Sequence, residues 1–431
     1  MYQKIKSLIT KAYQKGLIHI ISGSFLTKFI AMFGSIFVVR ILSKEEYGQL
    51  AYIENLYGYV YLLAGLGLNN AIFRYVVLGE KKEEKYRYYS YIRNSCLIVN
   101  CILLVVFGVY MMHYPHPSEF AIIVPLLLFY LCMLPIQALN EGNQLTFRAL
   151  FDNKRYALFS LFTSVGIVVF RIIFSYNWQL KGTVLAQFFV YTCMAVSSLF
   201  VLYKVYFDKE VRSIVTKPLE KTEKKEIWSY SLQYMITNGI WAMFMLNDTY
   251  LLGKLANDPS IIADYKVAYT IPGAISIVST AIGIFVSPYF VKNENNTQWI
   301  RKNFKRVYGA NVLSMAAIVL VLVGLSEPLI FFIYGSGYSN VVDVMRVLLI
   351  AAFLNGGMRY PCANILAAMG KVKYNMAVSV FGVLLQLIIN FHMIPRYGGI
   401  GAAITSCLIY LFMALVLLAV FIKKYYWKQK E

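Results

Sequence analysis

Twelve stretches of about 20 mostly apolar residues, joined by short polar turns, leave this chain few ways to fold. They centre near residues 29, 59, 100, 131, 166, 193, 241, 277, 317, 354, 383 and 411. Each is long enough to cross the hydrocarbon core of a bilayer as a helix, which satisfies its own backbone amides and carbonyls. Of the 431 residues 59% are hydrophobic and 14% charged, more apolar surface than a soluble domain of this length can hide. The expected fold class is an all-α membrane protein of twelve transmembrane helices. The first run is too long for a cleavable signal and has no small-residue cleavage site after it. Ahead of it, residues 1–16 place Ile5, Leu8, Ile9 and Ala12 on one helical face and Lys4, Lys11 and Lys15 elsewhere, the pattern of an amphipathic segment on an anionic membrane surface.

The formal charge is +20, but its distribution argues against a nucleic-acid partner. If both termini are cytoplasmic, 31 of the 41 Lys and Arg fall on cytoplasmic segments, before residue 16 and within 74–93, 148–155, 204–225, 292–306, 371–373 and 423–430. The outer loops would hold Arg40, Lys44, Lys181, Lys254, Lys266 and Arg396. That bias is the positive-inside rule, so the basic charge reads as topology. The six cysteines all fall in apolar runs and behave as small hydrophobes. His113 and His116 share an outer loop, but two ligands make a poor metal site.

One long polar connection, residues 207–228, splits the runs six and six. The expected organisation is an amphipathic segment 1–16, a six-helix bundle 17–206, a cytoplasmic linker 207–228, a second bundle 229–423 and a cytoplasmic tail 424–431. Residues 155–191 align with 373–410: Tyr156 meets Tyr374 and, with one residue inserted, Gly182 meets Gly401 and Tyr191 meets Tyr410. "SYNWQLKGTVLA" (175–186) and "IPRYGGIGAAI" (394–404) are then the same outer turn between the last two helices of each repeat. Pro395 should end a helix there, and the glycines let the next one start tightly. An even number of helices per repeat implies a pseudo-twofold axis along the membrane normal and a central cleft between the bundles, the layout of alternating access.

Ionisable residues at mid-bilayer cost about 2.5–3.5 kcal/mol each on an insertion scale and need water, a partner or a ligand. Lys28, Glu54, Glu141, Arg171, Asp248 and Arg359 are such residues, three cations against three acids. Buried ion pairs that only fix helix packing are the alternative. Asp343 and Arg346, three residues apart near an outer helix end, should pair locally. Extending the repeat alignment backwards sets Glu141 opposite Arg359, and "GGMRYP" (356–361) should bend the second of these helices.

"VRILSKEEYGQLAYIENLYGYVYLLAGLGLNNAIFRYV" (39–76), "NDTYLLGKL" with "DYKVAYTIPGAIS" after it, "ILAAMGKVKYNM" and "MIPRYGGIGAAITS" resemble segments of polysaccharide flippases. These are the Wzx-type branch of the multidrug/oligosaccharidyl-lipid/polysaccharide exporter superfamily, and the likeness runs over essentially the whole chain. The resemblance implies transfer of an undecaprenyl-diphosphate-linked oligosaccharide from the inner to the outer leaflet of a bacterial plasma membrane. It implies no resident cofactor, a proton or sodium gradient as the drive, and membrane lipids and other polysaccharide-assembly proteins as partners. By position, Lys28, Arg171 and Arg359 would meet the diphosphate, and Glu54, Glu141 and Asp248 would couple to the ion. A multidrug antiporter of the same superfamily would instead favour an acidic, aromatic cavity. A membrane polymerase or glycosyltransferase would need a catalytic pair on an outer loop, and the short outer loops offer none. No GxxxxGK[ST] loop is present for ATP.

Overall fold

The computed structural model describes residues 17–114, 116, 118–214 and 218–427. The amphipathic segment 1–16 lies outside the described residues, as do residues 428–431 of the tail. Regular structure among the described residues is helical, and each of the twelve sequence centres falls in a helix. The chain divides into two compact units, an N-terminal one of residues up to Glu46 plus Leu56–Gly239 and a C-terminal one of Tyr47–Asn55 plus Ile240 onward. Two helices, Lys44–Leu62 and Lys221–Ala256, contribute to both.

The helix starts follow local chemistry. Ser43 and Glu46 form a reciprocal capping box ahead of Lys44–Leu62. Asp258 caps Pro259–Lys292 through the Ser260 amide, with Pro259 at the first helical position, where its missing N–H costs nothing. Asp152 and Asn296 cap the helices that follow them. At the Asp152 cap, burial alone would raise the carboxyl pKa. Hydrogen bonds from the Tyr206 hydroxyl, the Arg155 amide and the Arg155 guanidinium outweigh it and hold the group below the usual carboxylate range.

Asn153–Val205 and Val372–Ile422 are each far longer than one bilayer crossing and each folds back on itself. The first breaks at Gln179 (φ 49°, ψ −132°) and the second at Gly398 (φ 53°, ψ −131°), the same backbone turn at equivalent places in the aligned repeats. Ring contact between Phe170 and Phe189, and Gly382 packed on Met413, mark the antiparallel arms. A Cβ on Gly182 would stand 2.0 Å from the Phe174 carbonyl oxygen, and one on Gly401 would stand 2.4 Å from that of Met393. The aligned glycines thus do the same job: each lets the returning helix start against the departing one. Pro395 does not end its helix, which continues to the break at Gly398. Because the Gln179 conformation is one that glycine adopts freely and side-chain-bearing residues do not, Gln179→Gly is expected to stabilise the protein by about 1 kcal/mol. Gly182→Ala should destabilise it by about 1–3 kcal/mol. Thermal unfolding of the detergent-purified variants measures both.

The run centred near 59 is not one smooth helix. Gly65, Leu66 and Gly67 all take positive φ, bending the path by 44° between Lys44–Leu62 and Ala64–Leu78. Buried Asn100 accepts the Gly65 amide at 2.9 Å and holds the break. The polar connection 207–228 also packs more tightly than its composition suggests. Phe207, Val211, Leu219 and Ile227 are buried in the core of the N-terminal unit with Tyr89 and Phe147. Arg87 pairs with Glu223 at 2.8 Å, and the Trp228 indole donates to Tyr91. In the C-terminal unit the core forms between the two arms of Val372–Ile422 and the helices Thr297–Gly324 and Tyr360–Ala368, with Phe304 and Phe421 stacked 3.7 Å apart.

Candidate functional site

The most concentrated buried polar chemistry among the described residues surrounds Asp248. Its side chain, 8% exposed, is ringed by three pairs of residues at i, i+4 spacing, each pair on one helical face. Gln386 and Asn390 come from the first arm of the Val372–Ile422 hairpin, Ser406 and Tyr410 from the second, and Tyr265 and Tyr269 from Pro259–Lys292. Oδ1 accepts from the Gln386 amide at 2.9 Å and the Asn390 amide at 2.7 Å. Oδ2 accepts from the Tyr265 and Ser406 hydroxyls, both at 2.8 Å. A carboxylate offers about four lone-pair sites, and neutral donors occupy all of them. The two oxygens differ in what they allow. The NH2 groups facing Oδ1 donate as placed, whereas the hydroxyls facing Oδ2 can turn and accept by rotation alone. A proton arriving at this carboxylate is therefore accommodated with least rearrangement at Oδ2.

Asp248 lines a cavity of about 60 Å³ together with Lys266, Tyr265, Tyr269, Asn355 and Tyr410. Lys266 does not sit on an outer loop as its charge bookkeeping suggested. It lies two turns inside Pro259–Lys292, half-buried, and the charges acting on it are Glu54 and Asp248. Glu54 belongs to this unit because residues 47–55 pack against the start of it: Gly48 lies on the Pro259 carbonyl, Tyr52 on Gly253, and the Asn55 amide donates to the Leu246 carbonyl at 2.9 Å. Asp248 and Glu54, two of the residues expected to couple to an ion, thus share a neighbourhood with a lysine that the sequence reading placed elsewhere.

Arg359 closes the same region. It is 8% exposed, ends the π-helix Phe353–Arg359, donates through Nε to Asn355 Oδ1 at 2.7 Å, and lies over the Trp241 ring at 4.1 Å from its centroid. Trp241 in turn stacks on Phe244, which lines the cavity, as does Asn355. Arg359 is thus held by an amide oxygen and an indole, while Asp248 is held by neutral donors. Asp248 lines the cavity, Arg359 lies behind Asn355, which also lines it, and the two are not an ion pair.

The other expected site residues lie in the N-terminal unit. Glu141 accepts from the Gln137 amide at 3.0 Å, and Gln137 accepts from the Tyr57 hydroxyl at 2.9 Å. The Tyr61 hydroxyl bonds the same carboxylate, so a glutamate–tyrosine cluster occupies the position that Arg359 fills in the other repeat. Arg171 reaches across its hairpin to Gln187. Lys28 is carried by the helix Leu17–Ile41, and its side chain lies outside the described residues. Asp343 and Arg346 pair at 3.1 Å as expected. The His113 and His116 rings each bond a backbone carbonyl, of Val109 and Met111.

Residues 13–294, more than half of the chain, match the family described as polysaccharide biosynthesis protein. The chain belongs to that family. No match was found among curated proteins. Among solved structures, this family member is similar to an inward-facing multidrug resistance MATE transporter of the MOP superfamily, with a TM-score of 0.69 and 15% identity over 96% of this chain and 100% of the other. The lipid II flippase MurJ in an inward closed conformation gives 0.67 and 13% identity over 93% and 87%. A Vibrio cholerae MATE transporter, VcmN, gives 0.63 and 14% identity over 97% of each. The polysaccharide family member therefore shares the all-α fold of these structures, and among the described residues at least seven helices are long and apolar enough to cross a membrane.

Several site residues of this family member escaped the sequence reading. Gln386 and Asn390 carried a usable signal, two amides at i, i+4 inside an otherwise apolar run. Lys266 carried a weaker one, a lysine only seven residues beyond the helix start at Pro259.

Proposed function

We propose that this protein moves an undecaprenyl-diphosphate-linked oligosaccharide from the inner to the outer leaflet of a bacterial plasma membrane by alternating access, for surface polysaccharide assembly. The family match over residues 13–294 carries this reading. The chemistry of the C-terminal unit supports it: a guanidinium suited to phosphate oxygens is held by Asn355, which lines the same cavity as the buried Asp248 carboxylate. In this reading Arg359, with Lys28 and Arg171, meets the diphosphate. Asp248, with Glu54 and Glu141, answers to the proton or sodium gradient, and Lys266 balances Asp248 and Glu54. Both termini and the 207–228 connection face the cytoplasm, so a cysteine placed at exposed Glu220 should label only once the inner face is opened.

Deleting the protein should trap lipid-linked oligosaccharide on the inner leaflet and strip polysaccharide from the cell surface. The cavity's three tyrosine rings, Tyr265, Tyr269 and Tyr410, beside the Asp248 carboxylate also suit an organic cation, and that observation supports a multidrug antiporter as the second reading. Intact surface polysaccharide with altered dye efflux in the deletion strain would decide for the second reading.

A further inference from the structure

The π-helix that ends at Arg359 is held open by a residue from another helix. Tyr360 donates its amide to the Asn355 carbonyl, the i−5 partner of a π-turn. The next residue, Pro361, has no N–H, so neither Gly357 four residues back nor Gly356 five back receives a donor from position 361. Both carbonyls are buried, and an unpaired buried carbonyl is costly. Asn311, on Thr297–Gly324 and 0% exposed, supplies what is missing: its side-chain amide donates to Gly356 O and to Gly357 O, each at 2.9 Å. One NH2 group has two hydrogens, and each goes to one of these two oxygens.

The glycines make the approach possible. A Cβ on Gly356 would stand 2.9 Å from Met315 Cε, and one on Gly357 would stand 3.3 Å from Met315 Cβ, one turn along from Asn311. A slip of one residue turns a side chain by about 100° around a helix, which would carry Arg359 off the Trp241 ring.

We propose that Asn311 is a positioning residue: by clamping the two carbonyls that Pro361 leaves unpaired, it fixes the register of the π-helix and thereby aims Arg359. For transport this rests on the reading of Arg359 as the diphosphate contact; for geometry it stands alone. The test uses the full-length protein with Trp241 kept as the single tryptophan of its five, the others changed to phenylalanine, so that emission reports the guanidinium on the indole. Asn311→Ala should shift Trp241 emission in the direction given by Arg359→Ala and reduce transport of lipid-linked oligosaccharide about tenfold, less than the roughly hundredfold that a 1 Å misplacement can cost. Pro361→Ala restores an N–H at position 361. In that background the Asn311→Ala loss should shrink to about threefold or less, because one carbonyl no longer depends on the clamp. Unchanged emission in Asn311→Ala, or an equal loss with and without Pro361, would overturn the positioning role. Shifted emission with transport intact would uphold it and remove Arg359 from the substrate contact instead. Emission is read on purified monodisperse protein, so a variant that merely folds less well does not enter the comparison.

Discussion

Arg359→Ala is expected to reduce transport about a hundredfold while leaving much of the protein in the membrane, whereas Arg359→Lys should lose about tenfold. The geometry sets the difference. Nε is engaged by Asn355 and the guanidinium carbon lies over the Trp241 ring, which leaves the two Nη groups to grip two phosphate oxygens at once. An ammonium keeps the charge but cannot hold Asn355, cover the indole flatwise and present two parallel donors together. The rival account makes Arg359 a scaffold partner of an acid. Asp248 is not that acid, since its oxygens are taken by Gln386, Asn390, Tyr265 and Ser406. Glu141, its counterpart in the repeat alignment, is tested by exchange: normal transport in the Arg359→Glu, Glu141→Arg double variant would exclude a substrate contact. Transport is read as surface polysaccharide and inner-leaflet lipid-linked oligosaccharide, each normalised to protein level.

At Asp248 the two obvious substitutions should part company. Alanine removes the acceptor from four buried donors and should destabilise the C-terminal unit by about 3 kcal/mol or more, since each unsatisfied group costs about 1–3 kcal/mol and the site cannot be reached freely by water. The expected readout is low abundance and a lowered unfolding temperature. Asparagine is different. Its oxygen can face Gln386 and Asn390 while its NH2 faces Tyr265 and Ser406, whose hydroxyls turn round to accept. Asp248→Asn should therefore keep abundance near that of the parent protein and mimic the Oδ2-protonated carboxyl permanently. If Asp248 couples transport to the gradient, this variant should lose accumulation against the gradient and its response to external pH or sodium. A variant that transports at the parental rate with an unchanged gradient response would assign the whole cluster to packing.

What could be read from residue order alone was what local chemistry decides. Apolar runs of spanning length and the Lys and Arg bias act within a few residues or through the membrane's own asymmetry. The hairpin repeat was legible too, because Gly182 and Gly401 answer to contacts with a carbonyl eight residues before them. Buried charge was visible as a cost, so Asp248, Glu54, Glu141 and Arg359 stood out, but their partners did not. Asp248 draws Gln386 from 138 residues away and Ser406 from 158 residues away, and no periodicity in one segment reports which face of another will meet it. Lys266 shows the converse: by charge counting a lysine near a turn belongs to the loop, and only the packing of Pro259–Lys292 carries it into the cavity. "GGMRYP" announced a bend, since proline and glycine act locally. That the bend is a π-helix clamped by Asn311 was decided by tertiary structure, because the donor that satisfies the freed carbonyls comes from a different helix.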